Sequence, residues 1–297
     1  MKYKFDEELL VSPDMQGRDK ILSSLVKKHG ELFYTSVGKS ILSRQIDALY
    51  IGSGGRFVCI FATHHALEDV TANIAFMLAD YLLSMQESGA VKGVDCKLLL
   101  SKYRFVILPC VNPDGVEMRY HGVDESPLRD RQLRMSDGDF TRWQANARGV
   151  DLNHNYDYRF REYKLLERER GIVAGGSLYS GEYPESEPEA RAIASLVRAL
   201  SPSLVVSLHT QGEEIYAFPN TKKIMRCAKR LADACGYTVS IPDGTAAYGG
   251  LCDYTGSLGI PSFTLELGKG ENPLPTSDAR KIFQRVADAL LILPTLL

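Results

Sequence analysis

Three apolar, β-branched runs of this 297-residue chain end in residues that can hold a metal ion or move a proton. The run 56–65 closes on His64 and His65, with Glu68 three positions further; 203–209 closes on His209; 261–266 closes on Glu266. Two histidines and a glutamate are one of the usual ligand sets of a catalytic zinc, which keeps a fourth position for water. A spacing of three lets a turn leaving the strand aim His65 and Glu68 at one ion, and His209 completes the tripod from a neighbouring strand. A zinc held this way acidifies its water and polarises a carbonyl. Glu266 is then the expected general base, taking the proton from water and passing it to a leaving amine. The chemistry expected is hydrolysis of a peptide or amide bond with one zinc ion. An isolated H-x-x-E is a weak pattern, and the spacing excludes the H-E-x-x-H helix. The reading rests on three run-ends converging.

Runs of this composition fill strands buried on both faces. In open α/β sheets ligands bind beyond the carboxyl ends of such strands, where strand order switches. Around them the periodicity predicts helices over 16–29, stopped by Gly30, and over 68–85. A capping box, Ser186-Glu-Pro-Glu189, opens a further helix to about 200. Two more span 221–235, stopped by Gly236, and 277–292. The segment 41–51 reads as a strand closed by a hairpin at Gly52, Gly54 and Gly55. Another strand over 103–111 ends in a turn at Asn112-Pro-Asp-Gly115. The stretch 124–146 is charged and irregular, and 159–170 reads as a solvated face of mixed charge. The expected fold is α/β: one domain over 1–297, a mostly parallel, mixed, twisted sheet with helices on both faces.

Composition narrows the partners. The chain is 44% hydrophobic and 24% charged, with a formal net charge of −2. That balance gives no electrostatic case for nucleic acid or an anionic membrane. The opening residues lack the apolar core of a signal peptide, and the late apolar stretch 289–297 is short and contains Pro294. Six cysteines without C-x-x-C spacing predict no disulfide framework and a reducing, cytoplasmic setting. The expected partner is a peptide substrate; the oligomeric state stays open.

In order along the chain, His65-Ala-Leu-Glu68, Asn112-Pro-Asp-Gly115, Gly149-Val-Asp-Leu-Asn153, Ser207-Leu-His209 and Phe263-Thr-Leu-Glu266 resemble the motifs of carboxypeptidase A-like zinc peptidases. The resemblance runs from Ser36-Val-Gly-Lys-Ser40 to Gly268. It implies His65, Glu68 and His209 as zinc ligands and Glu266 as the base. Thr63-His-His-Ala66, Trp143-Gln-Ala-Asn146 and the stretch 209–216 are most similar to the bacterial branch that cleaves γ-D-glutamyl-diaminopimelate bonds of murein peptides. Carried over by position, Asn153 and His154 stand where the family has an Asn-Arg pair that grips the substrate carboxylate. As a cation His154 would do the same, with KM rising as its charge is lost; otherwise it packs near Asp151 and Arg142 or Arg148 takes the role. The family's oxyanion arginine follows a tryptophan, whereas here Trp143 lies between Arg142 and Gln144; Arg142 is the expected catalytic cation, and the oxyanion role stays open between Arg142 and Gln144. Thr245 stands at the position of a family tyrosine, and Tyr248 abuts the following Gly-Gly pair. Cys252 falls at the floor of the specificity pocket.

Two further readings stay open on the sequence: a broad carboxypeptidase or N-acyl amino-acid deacylase with the same zinc chemistry, and a non-catalytic peptide-binding protein. A binding protein has no use for Glu266, so the full set of ligands and base favours an enzyme.

Overall fold

The computed structural model describes residues 6–30, 32–86, 89–242 and 248–297. Its eight-stranded sheet contains β1 (Phe33–Lys39), β2 (Gln45–Ile51), β3 (Arg56–Ala62), β6 (Tyr103–Leu108), β7 (Leu204–His209), β8 (Glu214–Phe218), β9 (Thr238–Val239) and β10 (Ser262–Glu266). A separate two-stranded ribbon pairs β4 (Ala90–Val91) with β5 (Val94–Asp95). Across the large sheet the order is β1-β2-β6-β3-β7-β10-β8-β9. The four central strands β6, β3, β7 and β10 are parallel, while β1, β2 and β8 pair antiparallel with their inner neighbours. The sheet is therefore mixed and mostly parallel, as expected. From β3 the chain crosses to β6 on one side, then returns to β7 on the other, so the switch in strand order falls between β3 and β7.

Both faces of this sheet are covered. Along β3, Val58 and Ile60 point into one core while Cys59 and Phe61 point into the other. That is the two-residue period of a strand expressed on two buried faces. The first core is built with α1 (Met15–His29), α2 (Val70–Met85), α8 (Lys222–Cys235) and α10 (Ala279–Ile292). Helix α2 is apolar on nearly every side because it lies between the sheet and both α1 and α10. The second core is closed by α7 (Pro188–Leu200) and α9 (Leu251–Ser257). Helices α3 (Cys96–Lys102), α4 (Pro113–His121), α5 (Arg129–Ser136) and α6 (Phe160–Arg170) complete the fold.

Several local expectations need correction. The segment 41–51 is strand only from Gln45, and a strand the sequence reading lacked, β1, precedes it; β1 is an edge strand with a largely exposed face, so it shows no apolar run. Gly52 and Gly54 close no hairpin, since β2 and β3 both pair with β6 and not with each other. Their need for glycine is close approach: a Cβ on Gly54 would lie 2.0 Å from the Lys102 carbonyl carbon. Asn112 caps the N-terminus of α4, its Oδ1 accepting from the Gly115 amide at 3.0 Å, so the Asn-Pro-Asp-Gly motif starts a helix. The Ser186 capping box does not form. Glu187 occupies the cap position, and the Ser186 hydroxyl donates instead to the Glu187 carboxylate. Helix α5 lies inside the stretch expected to be irregular; its sequence is too charged to show an apolar stripe. The mixed-charge run 159–170 is a helix, α6, whose Phe160, Tyr163 and Glu167 are buried.

Gly54→Ala should destabilise the fold by about 1–3 kcal/mol, because backbone at Lys102 would have to shift. Gly55→Ala, where a Cβ meets nothing within 4 Å, should change stability by less than about 0.5 kcal/mol. Urea unfolding of the two variants checks the contrast.

Candidate active site

The three polar run-ends meet. β3, β7 and β10 are adjacent, and Glu266 sits directly opposite His209 in the parallel register. Beyond β3 the chain turns sharply at Thr63, whose φ of 57° is unusual for a β-branched residue. Thr63 is held there by Thr71 Oγ1, which accepts from its amide at 3.0 Å, and by Pro109, whose carbonyl accepts from its hydroxyl at 3.1 Å. The turn brings His65 to the start of a 3₁₀ turn, Ala66–Glu68, that presents Glu68. Asn112 locks this loop from behind, its amide nitrogen donating to the carbonyls of His64, Gln144 and Ala145 at 3.1 Å each.

Glu68 is buried and accepts from Nδ1 of His65 and Nδ1 of His209, each at 3.0 Å. The Thr210 amide donates to the same carboxylate at 3.2 Å. One ligand atom from each of His65, Glu68 and His209 lies within 4.8 Å of the others, and among the described residues these three form the group able to hold a metal ion. Nitrogen and oxygen donors in this number suit zinc with an open position. Nε2 of His65 meets Asp151 Oδ1 at 3.0 Å, and Nε2 of His209 meets the Ser207 hydroxyl at 3.0 Å. A partner on the far nitrogen fixes the ring of a metal-binding histidine.

The charges are strongly coupled. Burial alone would lower the basicity of His65, but the Asp151 and Glu68 carboxylates outweigh it and hold the imidazole well above its ordinary value. Burial works upward on Glu68, yet His65 and His209 bring its carboxyl down to about 2. Asp151 ends well below the carboxylate range in the same way, burial being outweighed first by His65. Glu266 behaves oppositely: burial pushes its carboxyl up to about 7, against the pull of His209. A carboxyl poised near neutrality is suited to take a proton and return it.

The cluster forms one end of a cavity of about 380 Å³. Asn153, His154, Tyr248 and Cys252 all line it, with Gln144, the other residue considered for the oxyanion, and with Asp151, Arg159 and Asp253, to which the sequence reading gave no role. Asn153 Oδ1 accepts from the Leu251 amide at 3.1 Å, tying the loop to the start of α9. The Cys252 thiol is pushed up to about 12 by burial and is neutral. Thr245 lies outside the described residues. Two residues sit in surroundings other than those expected of them. His154 is buried, with Nδ1 2.8 Å from the Tyr248 carbonyl and its ring stacked on Tyr163 at 4.3 Å. Burial lowers its basicity, against the pull of Asp151, which works against a cationic grip on a carboxylate. Arg142 does not line the cavity; its guanidinium donates to Glu271 at 2.9 Å and to the Asn272 carbonyl at 3.1 Å. Arg148 is likewise engaged, 3.7 Å from Glu187. The arginine that reaches the cavity is Arg159, a residue hidden in the mixed-charge run.

Two histidines and a glutamate at the carboxyl edge of a doubly covered α/β sheet, with a poised carboxyl beside them, make this the site of a metal-dependent hydrolase. The chain belongs to the zinc carboxypeptidase family, which it matches over residues 19–289, and is a metallopeptidase of that family. It is 32% identical over 267 residues to gamma-D-glutamyl-L-diamino acid endopeptidase 1 of Lysinibacillus sphaericus, covering 86% of this chain and 66% of that protein. It is 31% identical over 133 residues to murein peptide amidase A of Escherichia coli, covering 41% of this chain and 44% of the relative. The chain thus spans about two thirds or less of the length of these relatives. Its fold is similar to that of thrombin activatable fibrinolysis inhibitor, with a TM-score of 0.77, 19% identity and coverage of 98% of this chain and 75% of that one.

Because His65 holds a proton between two carboxylates, zinc binding near pH 7 should release at least one proton, and affinity should rise as pH increases through neutrality. Calorimetric zinc titrations in buffers of different ionisation enthalpy measure the proton count. Asp151→Asn should weaken zinc binding by about 10–100-fold.

Proposed function

We propose that the protein is a zinc peptidase that hydrolyses the γ-D-glutamyl-diaminopimelate bond of murein peptides. The observation that carries the substrate is the similarity, along most of the chain, to an endopeptidase acting between γ-D-glutamate and a diamino acid. The chemistry rests on the His65, Glu68 and His209 cluster with Glu266 in register beside it.

His65, Glu68 and His209 hold one zinc ion, and Asp151 keeps the His65 ring in place. Zinc bound there would supply Lewis-acid chemistry, polarising the scissile carbonyl and making water acidic. Glu266 takes a proton from the attacking water as the new C–O bond forms, then delivers it to the leaving amine nitrogen as the C–N bond breaks. Gln144 lines the cavity with its side-chain amide donating to Asp151 at 3.2 Å, and it replaces Arg142 as the candidate donor to the developing oxyanion. Asn153, His154, Tyr248 and Cys252 shape the substrate side. His154 acts there as a neutral, stacked wall that supports Tyr248 through its backbone. The six cysteines, free and buried, are in keeping with action in the cytoplasm. Among the described residues, no helix is long and apolar enough to cross a membrane.

Zinc-loaded protein tested on γ-D-glutamyl-diaminopimelate peptides, α-linked C-terminal peptides and N-acyl amino acids should prefer the first. Preference for α-linked peptides would make it a broad carboxypeptidase, and preference for acyl substrates a deacylase. Glu266→Gln should retain one equivalent of zinc and lose about 10²–10⁴-fold in kcat. Metal analysis and steady-state kinetics on the same sample check both halves; a loss of only about twofold would remove Glu266 from the proton transfers.

A further inference from the structure

We infer that Arg159 and Asp253 form a two-point clamp for a zwitterionic side-chain terminus, one carrying an ammonium and a carboxylate on the same carbon, and that they determine the specificity of the cavity. This inference deepens the peptidase reading and rests on it for the identity of the scissile bond.

Among the described residues lining the cavity, Arg159 is the lone arginine or lysine. It sits immediately before α6 in a left-handed conformation, φ 49°, with its guanidinium 4.5 Å from the centroid of the Tyr248 ring; its Nε meets Glu162 at 3.4 Å, which leaves the two terminal nitrogens of the fork for a ligand. Asp253 lies in the first turn of α9, on the cavity wall. Among the described residues it forms no ion pair. Burial pushes its carboxyl up to about 6, and the charge of Arg159 pulls the other way. The Tyr158 hydroxyl, also on the cavity wall, senses Asp253 and Arg159 together. Both charged groups line the one cavity, and among the described residues no ion pair joins them. Tyr158 and Phe218, with rings 5.6 Å apart, form an aromatic wall of the same cavity.

Each partner of the clamp has a chemical preference. A half-buried carboxylate without a cation favours a ligand that brings one. A guanidinium offers a planar fork matched to a carboxylate. The neutral thiol of Cys252 adds no charge to the floor. A lysine side chain would satisfy Asp253 and leave Arg159 facing another cation; a glutamate side chain would satisfy Arg159 and oppose Asp253. An amino-acid terminus, as on the distal end of meso-diaminopimelate, satisfies both. Leaving one charged group of such a site unmatched should cost at least about tenfold in affinity.

The test uses the zinc-loaded full chain and calorimetric titration with meso-diaminopimelate acetylated at its L-centre amine, Nα-acetyl-L-lysine and Nα-acetyl-L-glutamate, alongside hydrolysis of γ-D-glutamyl-meso-diaminopimelate and γ-D-glutamyl-L-lysine. Wild type should bind meso-diaminopimelate at least about tenfold more tightly than the other two. Arg159→Gln should weaken meso-diaminopimelate at least about tenfold more than lysine, and Arg159→Lys should restore part of the loss. Asp253→Asn, which removes the charge and keeps the shape, should weaken meso-diaminopimelate and lysine but not glutamate. Circular dichroism and zinc content confirm that each variant is folded and loaded. The clamp is overturned if Arg159→Gln weakens all three ligands equally, which would make Arg159 a grip for the common α-carboxylate, or if neither residue alters the ranking. If the ligand ranking holds but no γ-D-glutamyl bond is cleaved, the clamp stands and the proposed scissile bond falls. If both γ-D-glutamyl substrates are cleaved with equal kcat/KM in wild type and variants, the bond stands and the clamp falls.

Discussion

Two buried carboxylates, Glu68 and Asp151, meet across one imidazole, and much of the structure serves that contact. Buried charge is tolerated only when it is paired and fully hydrogen-bonded. Asp151 accordingly accepts from His65, the Gln144 side chain and the Asn153 and Leu178 amides. The loop carrying it is anchored by Asn146, whose amide nitrogen donates to Glu187 at 2.8 Å and whose oxygen accepts from the Arg148 and Val150 amides. Glu189, beside them, is buried enough for its carboxyl to be pushed up to about 8, so it adds no full negative charge to this cluster at neutral pH. A second buried acid network thus holds the backbone that holds the ligand-orienting aspartate.

The sheet supplies the other half of the geometry. Parallel pairing places the ends of β3, β7 and β10 side by side, and the register sets Glu266 against His209. Environment then divides the labour between neighbouring carboxyls. Glu68, flanked by two histidines, is kept ionised, whereas Glu266, more buried than paired, is held near neutrality. Two carboxyls pushed in opposite directions within one site are the arrangement that separates a ligand from a proton carrier. The far end of the cavity repeats the contrast on a smaller scale, with Arg159 and Asp253 facing the same space.

The central sheet and the candidate metal-binding cluster are legible because both leave a strong mark on the sequence. Doubly buried strands need continuous apolar runs, and His65, Glu68, His209 and Glu266 stand where those runs end. The outer parts were less legible. Edge strand β1 packs one face only loosely and carries no run. Ser186 has the residue types of a capping box, but its hydroxyl is taken by tertiary partners, which override local preference. Asp151 sat within a recognised motif, yet nothing local says that an aspartate 86 residues away meets His65. The cation on the cavity wall is hard to find for a related reason: Arg142 and Arg148 are close in sequence to the site but meet Glu271 and Glu187 away from the cavity, whereas Arg159, which meets Glu162, looks like one surface charge among many. Which charge faces a cavity is decided by long-range packing, and a mixed-charge helix conceals it.

The central claim is that His65, Glu68 and His209 together hold the catalytic zinc. X-ray absorption at the zinc edge of stoichiometrically loaded protein tests it most directly. A four-coordinate nitrogen and oxygen shell at about 2.0–2.2 Å with two imidazole signatures is expected. A scatterer at about 2.3 Å, the distance of a thiolate sulfur, would place the ion on a cysteine such as Cys252 and contradict it.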